Sequence, residues 1–563
     1  MTGSGEKTDV LVVGFGPVGA AITNLLGRYG VRTIAIDTAT TIFPQPRAIA
    51  LDNEALRILQ LAGLPEGAFE TIAIPEVRMH SPYVGQLARL DTGGCLDGHP
   101  KLVTFYQPEL ELALRSRVRD YPHVTVALGV ELIDFAEEAS GVRARLRRQD
   151  GSVRTVHAQY LIGADGAKST VREALGVGFD GRTYIEDWLI VDAKHASTSI
   201  DHIEFLCDPR RPTPHMVAPG GRQRWEFMLH PGESRDEMLR LEKVRELLSP
   251  WGGPDDMEIE RTAVYRFHAR TVEHFRKGRA FLAGDAAHIT PPFAGQGLVA
   301  GLRDAANLCW KLAWVVQKRA DPIILESYDQ ERRPHAKAMI ALARLLGRIV
   351  MPRSRAQALG TGVLMRTLRL IPAARSYFED LKIKPQNQFD QGLFVGQQRR
   401  LRGDVLRSTK ARLTRGALFP QAWVQQSTRG CWSDEALGLG LVLIGFGVDP
   451  GVHLGRAADD WREAGGSCIQ LCHRGQRLHR GEGDHVWEDI TGAFVPVVAP
   501  VGWSAIVRPD RTVLHDGPAT EAPRLIREAL DLLGAPRAPS FSSRETGSPT
   551  RVTTTVAERE ASR

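Results

Sequence analysis

The sequence predicts an α/β protein of several domains, and three observations support this fold class. The first is a strand, a glycine-rich turn, a helix and a second strand within residues 10–37, which together make one βαβ unit. The second is a stretch over about 185–275 in which short apolar runs alternate with polar residues, as in an antiparallel sheet. The third is a new strand, glycine-rich turn and long helix from Gly278 onward. With 563 residues, the chain is several times longer than a domain of ~150 residues and can fill more than one core.

Composition excludes several classes of protein. Apolar residues make up 43% of the chain and charged residues 25%, which is ordinary globular usage and excludes a collagen, a coiled coil and wholesale disorder. The net charge of +6 comes from interspersed residues of both signs, so we expect no nucleic-acid partner. No run of 18 apolar residues and no signal-type start occurs, so we expect a cytoplasmic protein without a membrane span. The six cysteines form no CxxC pair or ligand cluster, so we expect neither disulfides nor a metal site.

The first βαβ unit carries a nucleotide-binding pattern. The strand Val10–Val13 reads directly into the turn GFGPVG, and the second strand ends at Asp37. In such a turn the glycines permit a tight bend, the approach of a pyrophosphate and close packing of the helix, while the acid accepts hydrogen bonds from a ribose. The unit predicts a Rossmann-like dinucleotide-binding domain and leaves FAD and NAD open. Its assigned residues are Gly14, Gly16, Pro17, Val18, Gly19 and Asp37.

The rest of this domain is interrupted twice. Regular spacing is lost over 76–104 and returns in a helix at 107–118, so we interpret 76–104 as an excursion out of the first domain. The strand Tyr160–Ile162 leads into a second glycine-containing turn, and after the antiparallel region the strand Ala280–Ala283 leads into a third. These returns predict an inserted antiparallel-sheet domain.

The two later turns resemble the fingerprints of one enzyme family. They read GADGAKSTVR at 163–172 and GRAFLAGDAAHITPPFAGQG at 278–297. With GFGPVG they make, in order, the three fingerprints of the class A flavoprotein aromatic hydroxylases, which the chain resembles over roughly 8–380. Within that family, the segments PRAIALDNEALRILQLAGL (46–64) and RWEFML (224–229) look most like the 3-(3-hydroxyphenyl)propionate hydroxylases of the phenol hydroxylase group.

The resemblance implies FAD as cofactor, NADH or NADPH and dioxygen as co-substrates, and oxygen transfer to a phenol ring through a C4a-hydroperoxyflavin. Asp285 follows a strand from which its carboxylate can reach a sugar-alcohol hydroxyl, and the resemblance makes this the ribityl chain of FAD. The glycines after Pro292 open a long helix whose free N–H groups favour the negative charge of a reduced flavin. The further residues assigned to the cofactor are Arg47, Gln107, Asp165, Asp285, Pro292, Gly295, Gln296, Gly297 and Leu298.

Candidate substrate residues lie on the predicted strands of the inserted domain. Arg224 can pair with a substrate carboxylate or form a surface ion pair. Tyr265 and His268 can accept or relay the phenol proton. Trp225 and Phe227 belong either to the pocket wall or to the core. The residues assigned to catalysis are His268, Tyr265, Arg224 and Pro292.

A third α/β unit resembles the thioredoxin-like C-terminal domain of the phenol hydroxylase group. Three residues separate Cys468 from Cys472, so we expect a packing or dimer role there rather than redox activity. The predicted domains are an FAD-binding domain from 1–75, 105–184 and 276–382, a substrate-binding sheet domain from 76–104 and 185–275, a thioredoxin-like domain from 395–534, and a disordered tail from 535–563.

The predicted function is therefore ring hydroxylation of a small carboxylated phenol such as 3-(3-hydroxyphenyl)propionate. One alternative is a polyketide-tailoring hydroxylase, epoxidase or Baeyer–Villiger-type monooxygenase that takes a larger aromatic substrate. A disulfide reductase or dehydrogenase needs a CxxxxC pair or a second nucleotide fold, and a flavin halogenase needs a WxWxIP-type segment; none of these is present. A non-catalytic FAD-binding protein is the remaining alternative.

Overall fold

Three large sheets organise the part of the chain that the computed structural model describes, which is residues 6–253, 257–372, 383–396, 411–476 and 485–535. Two of these sheets have eight strands and one has seven. Strands and helices are numbered along the chain. The predicted tail, apart from residue 535, lies outside the described residues.

The first sheet contains the predicted βαβ unit. Its strands are β1 (Glu6–Val13), β2 (Thr33–Asp37), β10 (Val124–Leu128), β11 (Val130–Glu138), β12 (Gly141–Arg148), β13 (Val153–Gly163), β19 (Arg276–Lys277) and β20 (Ala280–Leu282). β10, β2, β1 and β13 are parallel neighbours, and β20 adds a further parallel strand beside the end of β13. A parallel strand covered on both faces is apolar throughout, which explains the fully buried run Val10–Val13.

The second sheet is largely antiparallel. Its strands are β5 (Glu76–Ser81), β6 (Gly85–Asp91), β14 (Phe179–Lys194), β15 (Ile203–Leu206), β16 (Thr213–Ala218), β17 (Arg222–Met228), β18 (Glu258–Val272) and β21 (His288–Ile289). The strand order is β21, β18, β14, β17, β16, β15, β5, β6. β5 and β6 come from the irregular stretch at 76–104 and join through the parallel pairing of β5 with β15.

Two smaller sheets and twelve helices complete the described ranges. The small sheets are β3 (Ala50–Asp52) with β4 (Thr71–Ala73) and β9 (Leu102–Phe105), and β7 (Cys95–Leu96) with β8 (His99–Pro100). The helices are α1 (Pro17–Arg28), α2 (Asn53–Leu61), α3 (Gln107–Arg117), α4 (Thr170–Leu175), α5 (Arg235–Met238), α6 (Leu241–Leu248), α7 (Gly297–Val316), α8 (Glu326–Val350), α9 (Arg355–Arg369), α10 (Ser433–Leu437), α11 (Ala457–Glu463) and α12 (Ala522–Leu533).

The C-terminal sheet shares its core with the first sheet. Its strands are β22 (Trp423–Gln426), β23 (Arg429–Trp432), β24 (Leu441–Phe446), β25 (Gly466–His473), β26 (Val486–Asp489), β27 (Trp503–Val507) and β28 (Val513–Pro518). One apolar cluster extends from Val10 in β1 through Leu308 in α7 to Leu443 in β24 and Leu533 in α12. The C-terminal unit is therefore packed against the central helix α7 rather than tethered beside it.

Buried ion pairs reinforce this junction. Glu331 in α8 accepts hydrogen bonds from both terminal nitrogens of Arg508, at 2.7 and 2.9 Å, and from Lys311 at 2.8 Å. All three side chains are fully buried. Arg57 in α2 forms a second, bidentate pair with Asp434 in α10, with both contacts at 2.7 Å. Charges buried in this way require their partners, so the two units stabilise each other.

Candidate active site

A cavity of about 1000 Å3 connects the first sheet with the second. The carboxyl ends of three neighbouring parallel strands open into it, at Val13 in β1, Asp37 in β2 and Ala164 after β13. In open parallel sheets this edge is where ligands bind. The three glycine-containing motifs predicted from the sequence all follow strands that end here, so the fold brings them to one space.

The first turn forms a cradle with a single open position. Gly14 has a φ of +98°, and a Cβ atom there would lie 2.4 Å from the carbonyl oxygen of Ala164. A Cβ at Gly19 would lie 2.0 Å from the carbonyl oxygen of Gly14, so this glycine permits close packing of α1 on the turn. A Cβ at Gly16 would meet no atom within 4 Å. The space above Gly16 is therefore open for a ligand.

The N-terminus of α1 lies directly behind this open position. Gly16 is the N-cap residue and supplies no side-chain cap, so the first backbone N–H groups of the helix are free. Asp37 borders the same end of the cavity, where its carboxylate accepts hydrogen bonds from the backbone N–H of Phe15 at 2.7 Å and of Ala39 at 2.8 Å. The helix end suits a phosphate group and the fixed carboxylate suits a ribose.

Gln107 holds the segment that carries Arg47. Its Oε1 accepts hydrogen bonds from the backbone N–H of Arg47 at 2.9 Å and of Ala48 at 2.8 Å, and its amide donates to Glu111 at 2.8 Å. The Arg47 side chain extends over the cavity, and its terminal nitrogen lies 3.9 Å from Asp285 Oδ2. Gln107 is therefore a fixed support, and Arg47 is free to contact a ligand.

Asp285 is positioned by a buried network beneath it. The preceding residue, Gly284, donates its N–H to Asp304 in α7 at 3.0 Å. Asp304 also accepts from His288 at 2.6 Å and from Arg332 at 2.9 Å, and both Asp304 and Arg332 are fully buried. Burial raises the pKa of Asp285, while Arg47 opposes this shift. The network fixes the turn, so the Asp285 carboxylate points into the cavity without being needed for the fold.

Asp165 has a local structural partner. Its carboxylate accepts hydrogen bonds from Ser169 Oγ at 2.5 Å and from the backbone N–H of Val171 at 3.1 Å, where it stabilises the start of α4. Burial raises the pKa of Asp165. It also borders the cavity, so a contact with a ligand remains open to it.

The N-terminus of α7 forms the other polar end of the cavity. Gln296 is its N-cap residue without a side-chain cap, because its Oε1 turns away to accept a hydrogen bond from Arg303 at 2.9 Å. Arg303 in turn binds Asp52 at 2.8 Å and Glu54 at 2.6 Å. The residues from Gly295 to Leu298 line the cavity at this uncapped helix end, where a partial positive charge can stabilise an anionic oxygen.

All residues predicted for the cofactor except Gly19 border the cavity. They are Gly14, Gly16, Pro17, Val18, Asp37, Arg47, Gln107, Asp165, Asp285, Pro292, Gly295, Gln296, Gly297 and Leu298. Gly19 is buried beneath the turn.

The second sheet presents a buried ion triad to this cavity. Asp192 in β14 lies opposite Arg224 in β17 on one side and Arg261 in β18 on the other. Its carboxylate binds Arg224 at 2.6 and 3.0 Å and Arg261 at 3.0 Å. Both arginines also donate to the backbone carbonyl of Pro46, and Arg224 donates to that of Arg47 at 3.1 Å. The triad therefore anchors the segment that carries Arg47.

Of the polar residues in this region, Arg224 was predicted from the sequence, whereas Asp192, Arg261 and a nearby carboxylate, Glu226, were not. Polar residues that alternate along a strand are typical of a solvent-facing side, and only the strand register shows that these lie inside. The sequence therefore contained no local signal for them.

Tyr265 and His268 lie farther along β18. Tyr265 Oη accepts a hydrogen bond from Arg261 at 2.8 Å, and the His268 Nδ1 lies 3.0 Å from Thr183 Oγ1. Both side chains border the cavity, and burial and nearby arginines lower the pKa of His268.

Trp225 and Phe227 do not line the cavity. They point to the opposite face of β17, where they pack with Met238 in α5 and Val244 in α6 in a fully buried apolar cluster. Successive residues of a strand face opposite sides, so these two cannot share a face with Arg224. The expectation that they form a pocket wall is wrong, and the alternative, a place in the core, is correct.

The remainder of the cavity is an apolar chamber between the second sheet, α8 and α9. Trp188 packs behind its wall, edge-to-face against the lining ring of Phe293, with the ring centroids 5.8 Å apart. The side chains that line it include Met79, Phe205, Met216, Phe267, Phe293 and Met365. Such a chamber suits a planar apolar ring and resists water.

Neither a metal-binding cluster nor a membrane-spanning helix is found in the described ranges. They contain no group of three or more His, Cys, Asp or Glu side chains arranged for a metal ion. None of their helices has the length and apolarity needed to cross a bilayer.

Comparisons with known proteins agree with this geometry. A family model described as FAD binding domain matches residues 7–343, and one described as HcaD C-terminal domain matches residues 416–532. The 3-(3-hydroxy-phenyl)propionate/3-hydroxycinnamic acid hydroxylase of Comamonas testosteroni is 32% identical over 586 aligned positions, which cover 95% of this chain and 98% of that protein. The enzyme of the same name from Burkholderia cenocepacia is 35% identical over 523 positions, which cover 90% and 93%. The crystal structure of the flavin-dependent monooxygenase PieE with FAD and substrate matches with a TM-score of 0.77 at 22% identity, covering 94% and 99%.

The residues present fit FAD. The open position above Gly16, the two helix N-termini without side-chain caps and the carboxylates of Asp37 and Asp285 are placed along one cavity, as an extended dinucleotide requires. The family recognised from the three motifs, the mixed α/β fold with several sheets, and FAD, NAD(P)H and dioxygen as reactants are confirmed. The first family model covers more than half of the sequence. The chain belongs to the FAD-binding-domain family and is an FAD-dependent aromatic hydroxylase.

Proposed function

We propose that this hydroxylase acts on a small phenol that carries a carboxylate, of the 3-(3-hydroxyphenyl)propionate type. The relatives from Comamonas testosteroni and Burkholderia cenocepacia carry this substrate in their names, and the chain matches them over at least 90% of its length. The observation that best supports this proposal is that one cavity joins the glycine turn, Asp285 and the apolar chamber. A cofactor at the polar end and a ring in the chamber then lie close enough to react.

The chain's own residues divide the work of holding the cofactor. The N-terminus of α1 above Gly16 binds the diphosphate, Asp37 the ribose and Asp285 the ribityl chain, while the backbone after Gly295 faces the flavin ring. Arg47 lies over the cavity, where it contacts either FAD or the nicotinamide nucleotide. FAD bound there and reduced by NADH or NADPH would activate dioxygen, so that one oxygen atom enters the substrate ring and the other leaves as water.

Arg224 serves this reaction by positioning rather than by binding the substrate carboxylate. Its guanidinium makes two contacts with Asp192 and two with the carbonyl oxygens of Pro46 and Arg47, so little of its donor capacity is left for a ligand. We assign it to fixing the 46–47 segment. The apolar chamber contributes by orienting the ring and excluding water.

The alternative is a larger, apolar aromatic substrate, as in polyketide tailoring. The observation that favours it is the apolar surface of the chamber, which α8 and α9 extend with Met339, Leu346 and Met365. A reaction panel that includes both substrate classes separates the two.

The finer domain assignment is also part of this proposal. The second sheet forms an inserted domain, since the chain enters it and returns to β20 of the first sheet. The C-terminal unit is thioredoxin-like, because β28, β27, β24 and β25 are adjacent in that order, α11 connects the parallel pair β24–β25, and α12 follows the β27–β28 hairpin. A homodimer and a cytoplasmic location stay predictions from the sequence.

The test is aerobic oxidation of NADH and NADPH by the purified yellow protein with a panel of phenols, scored for hydroxylated product. We expect 3-(3-hydroxyphenyl)propionate to accelerate oxidation and to yield a ring-hydroxylated product in near-stoichiometric amount. Turnover of anthracycline-like phenols alone would support the alternative. Oxidation that yields only hydrogen peroxide with every compound would contradict both.

A further inference from the structure

A carboxylate projects from the second sheet into the cavity beside the ion triad. Arg224 and Glu226 share one face of β17, because alternate residues of a strand point to the same side. On the neighbouring strand the residue opposite Glu226 is Ile190, which also lines the cavity. Glu226 is 7% exposed, so it lies in the wall of the chamber and not at its mouth.

This carboxylate lacks the hydrogen bonds that burial normally demands. Asp192, one strand away, accepts hydrogen bonds from Arg224 and Arg261. The pKa of Glu226 is shifted only by desolvation and by the charges of Asp192, Arg224 and Arg261. No donor in the described ranges forms a hydrogen bond to its oxygens. Its acceptor capacity is therefore directed at whatever occupies the chamber.

The charges around Glu226 allow it to exchange a proton near neutral pH. Burial raises its pKa to about 7; Arg224 and Arg261 act in the opposite direction and Asp192 in the same one. A general base is most effective when its pKa lies close to the working pH. The other titratable or charged groups on the cavity wall near these strands are Arg224, Arg261, Tyr265, Arg266 and His268, with Lys101 beside β9. Asp192 does not line the cavity and is bonded to Arg224 and Arg261.

We propose that Glu226 contacts the phenolic hydroxyl of the substrate and accepts its proton as the ring is hydroxylated. The O–H bond breaks, its electron pair stays on the phenol oxygen and makes the ring electron-rich toward an electrophilic oxygen, and the proton moves to the Glu226 carboxylate. The proton returns to the phenol oxygen or to water when the product leaves. This inference rests on the proposed function, since it requires a phenol as substrate.

Binding of an uncharged phenol tests the contact independently of turnover. The probe is 3-ethylphenol, which lacks the carboxylate that would itself interact with Glu226, and its Kd for the holoenzyme is measured by calorimetry between pH 6 and pH 8. Because the ionised carboxylate is the better acceptor, we expect affinity to rise about tenfold as Glu226 loses its proton. Glu226→Gln should show no such rise. Glu260→Gln is the control, since it removes a carboxylate from β18 that pairs with Lys194 and Arg222 outside the cavity.

Turnover tests the proton transfer. With a phenol that the enzyme hydroxylates, we expect kcat of the unsubstituted enzyme to decrease as the pH is lowered below about 7, which gives the pH profile an acid limb. For Glu226→Gln we expect a kcat about 100-fold lower and no acid limb. Glu226→Asp should keep the acid limb with a reduced kcat. If Glu226→Gln fails to retain FAD, the aspartate variant is measured in its place. An unchanged acid limb and a kcat within threefold in Glu226→Gln would overturn the proposal. If no phenol is turned over, the proposed function fails, whereas the pH dependence of 3-ethylphenol binding still decides whether Glu226 contacts the phenol.

Discussion

Replacing Asp285 by alanine separates cofactor binding from folding. The side chain is 39% exposed toward the cavity, and its nearest charged partner, Arg47, is 61% exposed at 3.9 Å. The turn beneath it is fixed by Asp304 through the N–H of Gly284. Removing the carboxylate therefore leaves no buried donor without a partner, and the free energy of unfolding of the apoprotein should change by less than about 0.5 kcal/mol.

The expected loss in cofactor affinity follows from one charge-assisted hydrogen bond. A bond to an ionised carboxylate contributes about 1.5–3 kcal/mol, which corresponds to roughly a 10- to 150-fold weaker Kd for FAD. Asp285→Asn keeps an acceptor of the same shape, and a neutral hydrogen bond contributes about 0.5–1.5 kcal/mol. The asparagine variant should therefore bind FAD with a Kd between those of the unsubstituted protein and Asp285→Ala.

The assay is titration of apoprotein with FAD, followed by the quenching of flavin fluorescence, together with urea unfolding of each apoprotein. The assignment of Asp285 would be refuted by a Kd for FAD within twofold of the unsubstituted value in Asp285→Ala. A matching loss of unfolding free energy in the apoprotein would instead show that Asp285 supports the turn, which contradicts the buried network described above.

Four further substitutions test the cradle, the triad and the domain junction. Gly16→Ala should fold normally, because its Cβ meets no protein atom, yet weaken FAD binding at least about tenfold in the same titration, because that Cβ occupies the space left open for the ligand. Gly14→Ala should yield little folded protein, because its Cβ would overlap a backbone carbonyl. Asp192→Asn should lose about 3–5 kcal/mol of unfolding free energy at pH 7 in urea titrations. Burial alone would raise the pKa of Asp192, but Arg224 and Arg261 outweigh burial, so the pKa lies below its usual value. The carboxylate therefore stabilises the fold above about pH 4, and the difference between the variant and the unsubstituted protein should shrink as the pH falls below that value. Arg508→Met should expose the C-terminal unit to limited proteolysis, since Glu331 keeps Lys311 but loses the buried partner that the C-terminal unit supplies. An unaltered cleavage pattern would show that the junction is held without this ion pair.

The cofactor end of the cavity was predictable because its information is local. A glycine turn between an apolar strand and a helix requires residues of particular types at fixed spacings, and Gly14, Gly16 and Asp37 lie within one such unit. Asp285 follows a strand, and its role toward the cofactor came from the resemblance to the flavoprotein hydroxylases. Each of these side chains is placed by its own segment, so its position on the cavity could be predicted from the sequence, while its contact with the cofactor stays a proposal.

The substrate end was not predictable because its information lies in strand pairing. Asp192, Glu226 and Arg261 are far apart in sequence and meet only through the register of β14 with β17 and β18. A shift of one residue in that register would have turned Trp225 toward the cavity and Glu226 away from it. No pattern within β17 itself distinguishes these two arrangements.

The shared core around α7 has a consequence for how the protein is made. The apolar cluster that contains β1 also contains Leu533 of α12, near the end of the described chain. During synthesis, the nucleotide-binding strands leave the ribosome long before the residues that complete their packing. We expect the nascent chain to stay incompletely folded until its last helix has been translated, with capture of FAD as a post-translational event. A ribosome-arrested chain ending at residue 395 should accordingly be digested by protease at FAD concentrations that protect the full-length chain after release.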